Sequence, residues 1–209
     1  MQTSRHILLL ILAVTLVTVS LPAFAQVVTA TIPAGTNTFS EAVNSVTNKA
    51  YVANFVCPTQ VCPSPGTVTV IDGATNNTAT VTVGVYPYAL AVNPATNKIY
   101  VANACGNDPT CNSLGTVTVI DANNNYNTST VNVGVDPEAV AVNPTTNYIY
   151  VANASCFDFP SCPSAGTVTV IDGASNTTQT VNVGVDPHFL NGICANYKVN
   201  GLSNDHGIR

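Results

Sequence analysis

The stretch Tyr-Val-Ala-Asn at 51–54, which recurs at 100–103 and 150–153, decides the fold of this chain. Each copy is followed by two cysteines and then by Gly-Thr-Val-Thr-Val-Ile-Asp. The copies begin 49 and 50 residues apart. A period near 50 residues with about four apolar runs is typical of stacked four-stranded units such as propeller blades.

One period, read from Gly84, contains four predicted strands. They are Tyr88–Asn93, Lys98–Asn103, Gly115–Asp121 and Thr128–Val135. Valine, isoleucine and threonine favour strands, and the Asn-Pro and Asn/Asp-rich segments between them favour tight turns. If these blades pack on both faces, the alternating threonine hydroxyls must find local hydrogen-bond partners. We therefore expect an all-β chain of four-stranded antiparallel blades.

The number of blades is about three, with one additional leading strand. Val27–Pro33 resembles a fourth strand, because Gly35 follows it as Gly84 follows the fourth strand of the next period. Three full periods then run to Val185. Rings usually close with four to eight blades, so the ring is expected to be incomplete or open.

Two interpretations of the open ring follow. The chain is either a truncated or frame-disrupted copy of a longer propeller, or an open arc that self-associates through its exposed blade edges. In the second interpretation a homo-oligomer forms, and Cys194 is a candidate intermolecular thiol.

The chain divides into three segments. Residues 1–25 combine Arg5, a short apolar run and Ala23-Phe24-Ala25, which is the pattern of a cleaved signal peptide. Residues 26–187 hold the propeller repeats, and residues 188–209 form a divergent tail that one interpretation treats as a truncated blade. We expect export to the periplasm, to the cell surface or to the medium, with no membrane span after cleavage.

The charge balance excludes some partners. The residues after position 25 include four basic and ten acidic side chains, a net charge of −6. Nucleic acids and anionic membranes are poor partners for such a surface. The expected partner is an extracytoplasmic protein or a glycan.

Two segments of the third period carry a resemblance to a known family. Asn-Pro-Thr-Thr-Asn-Tyr-Ile-Tyr-Val-Ala-Asn at 143–153 and Gly-Thr-Val-Thr-Val-Ile-Asp-Gly at 166–173 resemble the YVTN beta-propeller repeat family, with Ala replacing the family's Thr. The resemblance covers residues 27–187 and implies an extracytoplasmic surface-layer or binding protein. Some similar propellers are enzymes. The cysteine loops and the low repeat count depart from the family pattern.

Six of the seven cysteines recur in pairs at the same place in each repeat, and an exported chain favours local disulfides. Their spacing does not favour metal binding, and no metal or cofactor is expected. The predicted disulfides are Cys57–Cys62, Cys105–Cys111 and Cys156–Cys162.

In an antiparallel meander, the cysteine loops lie at the same end of the blades as the turns that precede each first strand. This shared face is the candidate binding surface, because loops on a rigid scaffold carry most function. Unconstrained loops would vary in the same way. The residues proposed for it are Phe39, Tyr88, Asp136, Glu138, Phe157, Phe159, Asp186 and His188.

Catalysis has little support in the sequence. Glu138 and His188 could meet near the axis, as in a lactonase-like hydrolase, but no nucleophile motif is present. The leading hypothesis is a non-enzymatic scaffold that presents loops to a partner. The alternatives are the hydrolase and a structural surface-layer component.

Overall fold

The computed structural model describes residues 30–55, 64–155, 165–184 and 187. Its main compact unit runs from Ile32 to Arg209, and only Ala30 and Thr31 of the short leading unit are described. The proposed signal peptide and the tail from 188 lie outside the described residues. So do several of the candidate residues, namely Cys57, Cys62, Cys156, Phe157, Phe159, Cys162, Asp186, His188 and Cys194.

The described residues form three four-stranded antiparallel sheets, each a meander in which consecutive strands are neighbours. We call them blades 1 to 3. Blade 1 contains β1 (Thr38–Asn44), β2 (Lys49–Asn54), β3 (Thr67–Asp72) and β4 (Thr78–Thr82). Blade 2 contains β5 (Pro87–Asn93), β6 (Lys98–Asn103), β7 (Thr116–Asp121) and β8 (Asn127–Asn132). Blade 3 contains β9 (Pro137–Asn143), β10 (Tyr148–Asn153), β11 (Thr167–Asp172) and β12 (Thr178–Asn182).

This architecture confirms the expected all-β fold of four-stranded antiparallel blades, and the three blades of the described residues agree with the expected incomplete ring. The predicted second strand of blade 2 has the bounds that the structure gives it. The predicted fourth strand continues too far, because the chain leaves β8 after Asn132 to cross to blade 3. Val133 N still donates to Gly115 O at 3.1 Å, and Gly115 N then donates to Gly134 O at 2.9 Å.

The blades pack face against face. Each blade has a Tyr face, on the side of the tyrosine of Tyr-Val-Ala-Asn, and an Ile face on the opposite side. The Tyr face of blade 1 and the Ile face of blade 2 form one buried cluster, and the same pairing of blades 2 and 3 forms a second cluster. Burial of these apolar side chains is the main source of stability. The first joint contains Tyr51, Val68, Val70, Val81 and Val83 against Leu90, Ile99, Val101 and Ile120.

The first strands lie side by side at the inner end of the blades. Strand β5 packs between β1 and β9. The backbone N–H of Leu90 in β5 donates to Ser40 Oγ in β1 at 3.1 Å. This order places the beginning of each first strand near its counterpart in the next blade, which is where the candidate binding surface lies.

The asparagine of Tyr-Val-Ala-Asn provides the local hydrogen-bond partner that the threonine hydroxyls of the third strand need. Asn103 is fully buried, and its Nδ2 donates to Thr116 Oγ1 at 3.1 Å and to Thr118 Oγ1 at 3.0 Å. Asn153 bonds Thr167 and Thr169 in the same way, both at 3.0 Å. One amide thus satisfies two hydroxyls inside the blade, as buried polar groups require.

A second set of asparagines joins consecutive blades. Asn44 Nδ2 donates to Asn97 Oδ1 at 2.9 Å, and Asn93 Nδ2 donates to Asn147 Oδ1 at 2.8 Å. The acceptors Asn97 and Asn147 have φ values of 54° and 57°, a left-handed conformation that asparagine tolerates well. Each of these bonds links the turn between the first and second strands of one blade to the same turn of the next blade.

The leading segment is only partly described. Residues 30–36 are described and contain no strand, so the predicted strand Val27–Pro33 is not seen over 30–33, and 27–29 lie outside the described residues. The segment nevertheless contacts blade 1, where Thr69 Oγ1 donates to Ala34 O at 2.7 Å. Gly35 lies against Asn54 as Gly84 lies against Asn103.

The stability of the fold is expected to fall in alkali, through the buried tyrosines. Burial raises the pKa of Tyr51 and of Tyr100 to about 12 from an ordinary value of 10.0. The two tyrosines ionise at a lower pH in the unfolded chain than in the folded protein. Their contribution to the free energy of unfolding is therefore complete below pH 10 and is lost as the pH rises through 12. The hydroxyl of Tyr100 has no hydrogen-bond partner among the described residues.

Tyr100→Phe is therefore expected to raise the free energy of unfolding by about 1 kcal/mol at pH 7 and to reduce its fall above pH 10. Urea unfolding followed by circular dichroism at pH 7 and in alkali measures both effects. Tyr148→Phe, at an exposed tyrosine, is the matched control and is expected to be neutral. A loss of stability in Tyr100→Phe would show that the Tyr100 hydroxyl makes a stabilising hydrogen bond after all.

Candidate functional site

The turns that precede the first strands lie beside the loops that follow the second strands. Tyr86 and Asp136 occupy equivalent turn positions with φ values of 58° and 54°. Their carbonyls accept hydrogen bonds from Ala104 N and Ala154 N, both at 2.9 Å. The two kinds of segment therefore share one end of the blades, as the meander predicted.

The predicted bridge Cys105–Cys111 is present, with a Cα–Cα distance of 4.4 Å. The side chain of Cys105 is buried with Val85, and Tyr86 and Cys111 pack against this pair. The other two predicted bridges lie outside the described residues. In blade 2, the disulfide thus supports the turn that carries Tyr86.

Asp108 organises the loop inside this disulfide. Its carboxylate accepts hydrogen bonds from Thr110 Oγ1 at 2.7 Å, Thr110 N at 2.9 Å and Asn112 N at 3.0 Å. The hydrogen bonds from Thr110 and Asn112 lower the pKa of Asp108. Because these bonds favour the ionised form, they are expected to weaken in acid, as the carboxylate takes up a proton.

Four aromatic rings meet on this face. We call Phe39, Phe55, Tyr86 and Tyr88 the aromatic cluster. Phe39 lies 4.6 Å from Tyr88 and 5.7 Å from Phe55 between ring centroids, and Tyr86 lies 4.7 Å from Phe55 and 5.9 Å from Tyr88. The rings are tilted by 43° to 58°, an arrangement that aromatic pairs favour. Phe39 remains 47% exposed, so the cluster is accessible to a partner.

Two carboxylates of blade 3 act on the tyrosines of this cluster. Burial, followed by the negative charges of Asp136 and Glu138, raises the pKa of Tyr86. Burial and the charge of Glu138 also raise the pKa of Tyr88. Asp136 is almost fully buried and Glu138 is half-buried. The face therefore combines four aromatic rings with two acidic side chains.

The structure brings together four of the predicted residues, Phe39, Tyr88, Asp136 and Glu138. The other four, Phe157, Phe159, Asp186 and His188, lie outside the described residues, so a Glu138–His188 pair stays a prediction.

Phe55 and Tyr86 also belong to this site, although neither was predicted from the sequence. Both are aromatic departures from the repeat, since Phe55 stands where the later copies have Ala104 and Ala154, and Tyr86 stands where the next copy has Asp136. Comparing the repeats position by position would have identified them.

The outer side of the blades carries a separate groove of about 130 Å³, lined by Lys49, Asp72 and Tyr126 among others. Lys49 Nζ bonds Asp72 Oδ2 at 2.7 Å, and this bond is the main reason that the pKa of Asp72 falls to about 2. Asp72 also caps its turn through Ala74 N and Thr75 N. The described residues contain no group of three metal-binding side chains.

Solved structures share this fold. The chain matches the structure of Kuenenia stuttgartiensis hydrazine synthase with 18% identity and a TM-score of 0.54, over 70% of this chain and 37% of that chain. The fold is propeller-like. The structure of a eukaryotic initiation factor matches with 13% identity and a TM-score of 0.52, over 74% of this chain and 34% of that one. The chain thus spans about a third of the length of these proteins, and identities this low show the fold alone.

No protein-family model and no curated protein matches the chain. The propeller-like fold therefore depends on the three four-stranded sheets and on the solved structures. Within the described residues, no helix has the length and apolar character to cross a membrane.

Proposed function

We propose that this protein is an exported, non-enzymatic scaffold whose aromatic cluster binds a positively charged segment of an extracytoplasmic partner protein. The observation that carries the proposal is the aromatic cluster beside Asp136 and Glu138. Aromatic faces attract cations, and nearby carboxylates strengthen that attraction. A lysine or arginine side chain of a partner suits such a surface.

A glycan is the alternative partner, because sugars stack on aromatic rings. The tilt of 43° to 58° between neighbouring rings gives a sugar no single flat platform. The negative charge of the two acids favours a cation over a neutral sugar. We therefore propose the basic partner and keep the glycan as an outcome of the test.

Export is part of the proposal. The Cys105–Cys111 bridge is compatible with an oxidising compartment. The charge and apolar pattern of residues 1–25 supports a signal peptide. Mass analysis of the protein recovered from culture medium and cell envelope, with the N-terminus expected at Gln26, would test this.

The binding test is a titration with a lysine hexapeptide and, in parallel, with a neutral cello-oligosaccharide. The chain has no tryptophan, so the fluorescence of its eight tyrosines, Tyr86 and Tyr88 among them, can follow binding. We expect binding of the peptide that weakens as salt rises. Binding of the oligosaccharide alone would favour the glycan, and binding of neither would contradict the proposal.

Two variants locate the site. Phe39→Ala and Glu138→Gln are each expected to weaken peptide binding roughly fivefold to tenfold. Glu41→Gln is the matched control, since Glu41 is the other glutamate of the chain, is exposed and lies outside the cluster. An equal loss in Glu41→Gln would mean that only the net charge matters.

The hydrolase and the surface-layer component remain alternatives. Turnover of a lactone that is lost in Glu138→Gln would support the hydrolase. Ordered arrays formed by the purified protein without any ligand would support the surface-layer component.

A further inference from the structure

The Tyr face of blade 3 has the residues of a buried joint, but no blade of the described residues packs on it. In blades 1 and 2, the tyrosine and the four valines of the Tyr face are buried against the next blade. The corresponding five residues of blade 3 are only half-buried, although Ala152 beside them is fully buried. They are Tyr150, Val168, Val170, Val181 and Val183. The same composition that is enclosed twice within the chain is therefore open at its third occurrence.

Gly184, at the end of blade 3, also lacks the neighbour that its equivalents have. An added Cβ at Gly84 or Gly134 would lie within 2.8 Å of the asparagine of the following blade, Asn103 or Asn153. An added Cβ at Gly184 would meet nothing within 4 Å. Gly134 N also donates to Asn153 Oδ1 at 3.1 Å. Gly184 thus occupies the position of a joint whose next blade is missing among the described residues.

The opposite end of the described blades carries the complementary surface. No blade of the described residues covers the Ile face of blade 1: Val43 is 67% exposed, and Ala50, Val52 and Ile71 are half-buried. In blades 2 and 3, the positions of Ala50 and Ile71 hold fully buried isoleucines, namely Ile99, Ile120, Ile149 and Ile171. One molecule therefore presents both halves of a blade joint, at its two ends.

We propose that two copies of this chain close one six-bladed ring, with the Tyr face of blade 3 of each copy packed on the Ile face of blade 1 of the other. The two internal joints give the template for this contact, because the same positions already pack together in them. A head-to-tail contact that closes on itself gives a finite assembly. Six blades lie within the usual range for a closed ring.

Two features of blade 1 make this joint weaker than the internal ones. Glu41 stands where Leu90 stands in blade 2, near the inner end of the blade, where Val140 of blade 3 also stays half-buried. Gly35 already occupies the place beside Asn54 that Gly184 of the second copy would take. Closure therefore displaces residues 32–36 and the hydrogen bond from Thr69 to Ala34 O. We expect a reversible dimer.

The test is light scattering of the full chain, purified with its disulfides intact, over a range of concentrations. We expect a mass that rises to twice that of the monomer and then stays constant. Val170→Asp on blade 3 and Val52→Asp on blade 1 are each expected to weaken dimer formation at least about 100-fold. Thr180→Asp, exposed on β12, is the control and is expected to dimerise normally.

Mixing the two defective variants gives the sharpest result. A Val170→Asp copy and a Val52→Asp copy together form one intact joint, whereas neither variant alone forms any. The mixture is therefore expected to recover a heterodimer. A dimer that tolerates Val52→Asp would indicate that two blade 3 faces pack together and would overturn the proposal.

Other outcomes also overturn it. A monomer at all concentrations would mean that another part of the chain covers blade 3, and a mass that keeps rising would mean an open filament. If the aspartate variants fail to fold, as judged by circular dichroism, the concentration series of the unmodified chain still decides between these outcomes. Peptide binding by the aromatic cluster is measured separately, so failure of the dimer leaves the proposed function unaffected.

Discussion

Replacing Asn103 by alanine is expected to lower the free energy of unfolding by about 3 kcal/mol. The side chain is fully buried and its Nδ2 is the donor to both Thr116 Oγ1 and Thr118 Oγ1. Its removal leaves two buried hydroxyls without that donor, and each unsatisfied group costs about 1–3 kcal/mol. Urea unfolding followed by circular dichroism measures the change.

A combined variant separates lost hydrogen bonds from lost volume. Adding Thr116→Val and Thr118→Val to Asn103→Ala removes the two hydroxyls that have lost their donor. We expect this combined variant to recover part of the stability. Asn132→Ala, at an exposed end of β8, is the matched control and is expected to be neutral. No recovery in the combined variant would show that packing of Asn103, and not its hydrogen bonds, stabilises the blade.

Gly84→Ala is expected to destabilise the protein by about 3 kcal/mol. A Cβ at this position would lie 2.5 Å from the backbone oxygen of Gly106 and 2.6 Å from Asn103 Cγ, and neither group has space to move in a buried joint. Overpacking of this kind typically costs about 1–3 kcal/mol, and a backbone obstacle brings it to the upper end. Thermal unfolding measures the change.

Gly184→Ala is the control that the repeat itself offers. The residue is equivalent, but nothing lies within 4 Å of an added Cβ. At concentrations where the protein is monomeric, we expect no loss of stability. Equal destabilisation by both substitutions would mean that the glycines are required by backbone conformation and not by the close approach of the next blade.

The fold could be predicted from the sequence because every blade repeats the same local signals. The second strand of blade 2 has its predicted bounds, since Asn97 and Asn103 mark its two ends with a left-handed turn and a buried amide. The ends of the fourth strands were less predictable. Val133 continues the alternating pattern of β8 although the chain there already crosses to blade 3.

The candidate site was harder to predict than the fold. Phe39 and Tyr88 lie on one face because they are equivalent positions of neighbouring blades, so periodicity alone could pair them. Phe55 and Tyr86 contact each other where a loop meets a turn, and Phe55 also contacts Phe39. Such contacts do not follow from the repeat period and are seen only in the three-dimensional structure. The repeat pattern describes what the blades share, whereas the site is built from residues in which they differ.

The asparagine bonds between blades have a consequence for how such a chain can evolve. Asn44 bonds Asn97, and Asn93 bonds Asn147, so each blade offers its neighbours the same amide groups. If recombination removed the period from Val85 to Gly134, the segment after Gly84 would again be a blade, and Asn44 would meet Asn147 in place of Asn97. Length can thus change by whole periods in one genetic event while every remaining joint keeps its chemistry.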